Sequence, residues 1–214
     1  MTYQLHINLG YHYCEKDELD LALDQYDKAI ELMEEDNVGH QDISLTKMNK
    51  AIAYERLSQS LDDKIEKENV LRKALELVEE AFKALEKLYS RLGYEHENDE
   101  IAMCLHNMAN VKLSLANNDD MLESSFNDAI RSIQMKKRLY RNNYDHISMI
   151  KSRQLLNELY EMIEDHDEDD RRREILDEYL GDFGQDQFEL DHGADKGWPI
   201  QSCGEGFEKF YEAV

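Results

Sequence analysis

Apolar residues recur at three- and four-residue steps from Tyr3 to about Leu180, in runs separated by short polar breaks, which is the period of amphipathic helices. Between Tyr3 and Glu35 two such runs meet at the break Lys16 to Leu19, with Leu9 and Tyr13 in the first and Ala22, Tyr26 and Ala29 in the second. Gly10, Ala22 and Ala29 stand where two antiparallel helices need close backbone approach, and the larger residues fill the space around them. Asp17 or Asp20 can cap the second helix, and Asn37-Val38-Gly39 can close it. One hairpin of this kind cannot bury its own apolar stripe, so it needs neighbours of the same design.

The rest of the chain supplies them. A helix starting at Asp42 or Ser44 runs through Ala51 and Tyr54 to about Leu61, and the acidic-basic alternation from Asp62 to Asn69 lengthens the second hairpin. A long helix then covers Val70 to Leu92, with Leu75, Val78, Ala81, Phe82, Leu85 and Leu88 on one stripe and Gly93 as the stop. In the third pair, Ile101, Leu105, Met108, Val111 and Leu115 precede a turn at Asn117 to Asp120. Leu122, Phe126, Ala129, Ile130, Ile133 and Leu139 follow it, up to a break at Asn142-Asn143. A fourth first helix spans His146 to Met162, and a short helix Glu174 to Leu180.

The core of the first pair, Asn8-Leu9-Gly10 with Tyr13, returns as Asn49-Lys50-Ala51 with Tyr54 and as Asn107-Met108-Ala109, each followed by alanines or an aromatic on the next helix. The chain resembles tetratricopeptide repeats over about residues 2 to 165. The spacings, 49−8 = 41 and 107−49 = 58, exceed the family's period of about 34 residues, and Glu97 to Tyr144 is similar to the longer repeats of kinesin light chains. The expected fold class is therefore all-α, a tetratricopeptide-like α-solenoid of about four antiparallel helix pairs within residues 1–180, the fourth a degenerate cap. A tail rich in Gly and aromatic residues, 181–214, holds six of the nine glycines, the lone Pro199 and Trp198, and a possible short helix carrying Phe207, Phe210, Tyr211 and Val214.

Charge narrows the partners. Lys+Arg 25 against Asp+Glu 48 gives a net charge of −23, a field that repels nucleic-acid phosphates and anionic lipid headgroups. Much of it reads as a solvated outer face. Three cysteines at unrelated spacings, Cys14, Cys104 and Cys203, suit a reducing compartment, and no apolar run reaches membrane-span length, so the expected location is cytoplasmic.

No motif carries chemistry. Asp182-Phe183-Gly184 matches a kinase metal-binding triplet without any of its companions. Asp165, Asp167 and Asp169 alternate as in a calcium loop, but no Gly makes the sharp turn and Leu176 takes the place of the bidentate Glu. The histidines are scattered, and no phosphate-binding or nucleophile motif occurs, so no catalytic residue, metal or cofactor is expected.

In the resembled family, the first helices of successive repeats line a concave groove, where the Asn before the Leu holds a ligand's backbone. The resemblance implies that role for Asn8, Asn49 and Asn107, whose amides both donate and accept. Tyr11, Ile52 and Asn110 face the same way one turn on, and Ile7, Met48 and His106 flank them. The Lys residues with which chaperone-binding members clamp a carboxylate are missing: Ile7, Tyr11 and Met103 stand there. The groove so read is apolar and rich in amides within an acidic surround, suited to an apolar, basic segment of another protein, so the expected function is a protein-interaction adaptor or regulator. The rivals are a small regulatory subunit or effector that works through its tail, and an enzyme without recognisable motif. Lys136, Lys137, Arg138 and Arg141 form the densest basic cluster of the repeats and a landing place for the acidic tail.

Overall fold

The computed structural model describes residues 2–92, 98–164 and 170–183, and among them the chain is helical, with eight helices and no strand. These are α1 (Tyr3–Glu15), α2 (Leu19–Glu35), α3 (His40–Gln59), α4 (Lys64–Leu92), α5 (Asp99–Leu115), α6 (Asp119–Leu139), α7 (Ile147–Glu164) and α8 (Asp170–Gly181). The Gly93 stop, the acidic run 165–169 and the tail from residue 184 onward, with Trp198 and Cys203, lie outside the described residues.

Local chemistry explains most boundaries. Between α1 and α2, Asp17 takes a left-handed conformation (φ 61°), and the Glu18 amide donates to the Tyr13 carbonyl at 2.9 Å. Neither Asp17 nor Asp20 caps α2 as expected: Glu18 holds the cap position without a side-chain bond, and the Asp17 carboxylate pairs with Arg56 of α3 at 3.0 Å. Asn37, not Gly39, closes α2, because Asn tolerates its φ of 53°, while Val38 N–H donates to the Met33 carbonyl at 2.8 Å. Asn98 and Asn118 cap α5 and α6, their Oδ1 atoms accepting from the amides of Ile101 (3.0 Å) and Met121 (2.9 Å). Arg141 and Asn142 turn the chain at φ 52° and 57° after α6, where the Asn pair marks a break.

One expected loop is helix instead. The alternation Asp62 to Asn69 predicts a lengthened hairpin, yet α4 starts at Lys64. Asp63 Oδ1 accepts the Glu66 amide at 2.8 Å, and an Asp followed three residues later by Glu is the pattern of a capping box. The alternating charges then occupy an exposed helical turn.

Paired helices approach closely through small residues. Gly10 of α1 lies against the buried Tyr26 of α2, and a Cβ at Gly10 would meet Tyr26 Cε1 at 2.6 Å. Ala51 of α3 is buried beside Ala74 and Ala81 of α4. On α6, Ser125 and Ser132 donate to the carbonyls of Ala109 and Ala102 of α5, both at 2.7 Å. The α5–α6 pair also encloses an ion pair, Lys112 Nζ to Asp128 Oδ2 at 2.5 Å, with Ser124 Oγ accepting from the same amine at 2.9 Å.

Each helix packs on its chain neighbour, and the odd-numbered helices also touch in succession, α1 with α3, α3 with α5 and α5 with α7. The core is accordingly strung along the chain. Cys14, Tyr26 and Ile52 join α1 to α3; Met48, Leu71, Val78 and Leu105 join α3 to α5; Phe126, Met149, Leu156 and Leu176 join α6 to α8. Beyond α8 the described chain stays attached, since Phe183 is buried edge-on to Tyr144 (5.0 Å between centroids) and Lys137 pairs with Asp182 at 2.6 Å.

The Gly10 contact yields a stability test. Real Cβ atoms essentially never come within 3.0 Å of another heavy atom, and Tyr26 is fully buried, so Gly10→Ala forces ring or helix to move. The variant is expected to lose about 1 to 3 kcal/mol in urea denaturation; an unchanged midpoint would mean that the pair does not approach as described.

Candidate functional site

The odd-numbered helices bring the three predicted asparagines onto adjacent elements: Asn8 on α1, Asn49 on α3 and Asn107 on α5. Their exposures differ. Asn8, Tyr11 and Asn107 are half-buried, whereas Ile7, Met48, Asn49, Ile52, His106 and Asn110 are buried. Met48 belongs to the core, its Sδ 3.2 Å from Cys104 Sγ of α5, and Ile7 packs with Ala29 and Met33 of α2. Six of the nine expected surface residues are thus helix-packing residues as the fold stands, because first helices that touch one another bury the strip between them. Asn49 is 5% exposed, and its Oδ1 has no hydrogen-bond partner among the described residues, an acceptor left over inside the packed layer.

Two carboxylates that the sequence reading did not single out sit on the same layer. Glu55 of α3 is half-buried, three residues beyond Ile52 and so on its helical face, and Glu158 is exposed on α7. Burial, and next the charge of Glu158, pushes the Glu55 carboxyl up to about 7. Glu158 is itself raised, by burial and then by Glu161. Neither has an ion-pair or hydrogen-bond partner for its carboxylate among the described residues. Glu55 could have been found by extending the Met48–Ile52 face by one turn. Glu158 could not, because without a Gly or Ala marker the register of α7 was not readable.

A buried basic cluster forms where α5, α6 and α7 meet. Lys136 of α6, Lys151 of α7 and His106 of α5 are all buried, together with Ser148 and Ser152. Burial, then Lys136 and Lys151, hold the His106 imidazole well below the ordinary histidine range. The surface cluster read from Lys136, Lys137, Arg138 and Arg141 does not exist as one patch. Successive helical residues diverge by about 100°, so Lys136 turns inward against α7. Lys137 pairs with Asp182, and Arg138 and Arg141 are exposed elsewhere.

Chemically, the layer offers acceptors in excess: an amide oxygen and two unpaired carboxylates. Among the described residues no group of His, Cys, Asp and Glu is placed to hold a metal, and no helix is long and apolar enough to cross a membrane. Burial pushes the Cys14 thiol up to about 11, which keeps it protonated and unreactive at neutral pH.

No known protein-family model matches the chain, and no curated protein matches its sequence.

Glu55 makes stability pH-dependent with a definite sign. An acid whose folded-state value is raised from 4.5 to about 7 contributes stability that is present below 4.5 and lost as pH rises through about 7. Glu55→Gln is therefore expected to be more stable than the wild type at pH 8.5 by about 1 to 3 kcal/mol, with the difference shrinking by pH 5.5, in paired urea titrations. Equal stability at pH 8.5 would show that Glu55 is well solvated.

Proposed function

We propose that the chain is a tetratricopeptide-like α-solenoid of four helix pairs, α1–α2 to α7–α8, that binds an apolar, basic segment of a partner protein along the layer made by its first helices. The observation that supports the reading is the succession of contacts α1–α3, α3–α5 and α5–α7, so that the helices carrying Asn8, Asn49 and Asn107 follow one another in the order of the sequence repeats. A core strung along the chain, with no single centre, supports the same architecture. Half-buried Asn8, Tyr11 and Asn107 are the accessible members of the site, and the buried ones position them.

Partner chemistry follows from the acceptors. Unpaired Glu55 and Glu158 gain from a Lys or Arg, and a net charge of −23 speeds the approach of basic segments while excluding acidic ones. This is the binding mode of an adaptor or regulator and needs no catalytic group.

A random peptide library displayed on phage and panned against the full chain tests the proposal. Peptides enriched in Lys or Arg beside apolar residues are expected. Asn8→Ala with Asn107→Ala is expected to weaken the best of them about 5-fold per substitution, the worth of one hydrogen bond of about 1 kcal/mol. Association should also slow as salt rises from about 0.1 M to 1 M, over which the screening length falls from about 10 Å to about 3 Å. Selection of acidic peptides, or undiminished binding by the double variant, would reject the site.

A further inference from the structure

Lys136 is the most deeply buried charged side chain among the described residues, at 2% exposure, and it lies where α6 meets α7. Its Nζ donates to Ser152 Oγ at 3.0 Å and to the Ser148 carbonyl at 3.4 Å, both on α7, and these are its hydrogen-bond acceptors among the described residues. Ser152 Oγ in turn donates to the Ser148 carbonyl at 3.0 Å. A neutral amine has two N–H donors and an ammonium has three, so the two acceptors match the neutral form and leave the third donor of the charged form unserved.

The surroundings disfavour a charge as well. From α5 the site is faced by His106 and Asp99, from α7 by Lys151, and from α6 and the turn behind it by Tyr140 and His146. Asp99 is the carboxylate that favours the ammonium. Its Oδ1 is held by the Tyr140 hydroxyl, and it makes no hydrogen bond or ion pair with Lys136. Tyr140 stacks on His146 at 3.7 Å, and His146 Nδ1 accepts the Ser148 amide at 3.2 Å, so the turn that launches α7 is tied to the same network. On its outer side α6 meets α8 through Gln134 and Tyr179 (2.8 Å) and through Lys137, whose amine lies 5.1 Å from the Tyr179 ring centroid.

We infer that Lys136 is a proton-operated joint: uncharged, it lets α7 dock on α6 through Ser148 and Ser152, and protonated, it loosens α7 together with α8. The inference does not depend on what binds along the first helices. Burial, more than the opposing effects of Asp99 and Lys151, brings the amine down to about 7 from 10.5. A base depressed in the docked state favours docking increasingly as pH rises from about 7 to 10.5, by up to about tenfold per pH unit for one linked proton, and not further below 7. Two neighbours act below that window or at its edge: the contribution of His106 is complete at about its ordinary 6.5, and that of Glu55, whose midpoint is about 7, fades just above 7 and opposes the expected trend.

The test is amide hydrogen exchange on the full chain between pH 7 and 9, corrected for the intrinsic rate, comparing peptides of α7 with peptides of α1 and α2. In the wild type, α7 protection is expected to rise by up to about tenfold per pH unit relative to α1 and α2. In Lys136→Met, which keeps the length and removes the amine, the ratio should be flat. An α7 that tracks α1 and α2 in the wild type overturns the inference, as does a rise that persists in Lys136→Met. Should that variant fail to fold, NMR titration of the wild type with its lysine side chains labelled decides alone: one lysine titrating near neutral pH upholds the joint, and all lysines titrating in the ordinary range near 10.5 overturn it.

Discussion

Close approach of paired helices is the constraint on which the rest of this structure depends. At Gly10 the absence of a side chain lets the Tyr26 ring lie directly on the α1 backbone, and between α5 and α6 the serine hydroxyls of Ser125 and Ser132 reach backbone carbonyls across the interface. Helices held this tightly align their neighbours, because each pair offers one remaining apolar stripe to the next. Met48, Leu71, Val78 and Leu105 show the result, a core shared by α3, α4 and α5 that no single pair could close. A substitution at a crossing is therefore felt in the relative placement of pairs as well as in local stability.

Polar groups inside the packed layers fall into two kinds. Lys112 and Asp128 satisfy each other, with Ser124 adding a third bond, so their burial is compensated. Glu55 and Lys136 are not compensated in this way: the Glu55 carboxylate feels the negative charge of Glu158, which is exposed on α7, and the amine faces neutral oxygens. Each lowers its cost by moving toward its neutral form, which places their titrations near neutral pH. The packed helices thus hold both acidic and basic groups that the overall charge of −23 does not reveal.

Under the proposed function, the half-buried amides of Asn8 and Asn107 hold the backbone of the segment, and the carboxylates select its side chains.

The sequence by itself determined the helices and the crossings. Three- and four-residue apolar steps, Asn caps and small residues are local signals, and they put Gly10, Ala51 and Ala109 at buried positions and a break shortly after α6, where Asn142 turns the chain. Even the early start of α4 was present in Asp63 and Glu66, overlooked because alternating charge was read as loop. Tertiary structure alone decided which predicted groove residues reach solvent, since the burial of Met48 and His106 depends on how closely α5 packs on α3 and α7. It also decided that Glu158 acts on Glu55 and that Lys136 is isolated from its three basic neighbours in sequence. These depend on distances between helices far apart in the chain, and electrostatic energy is set by such distances and by burial, neither of which a local pattern encodes.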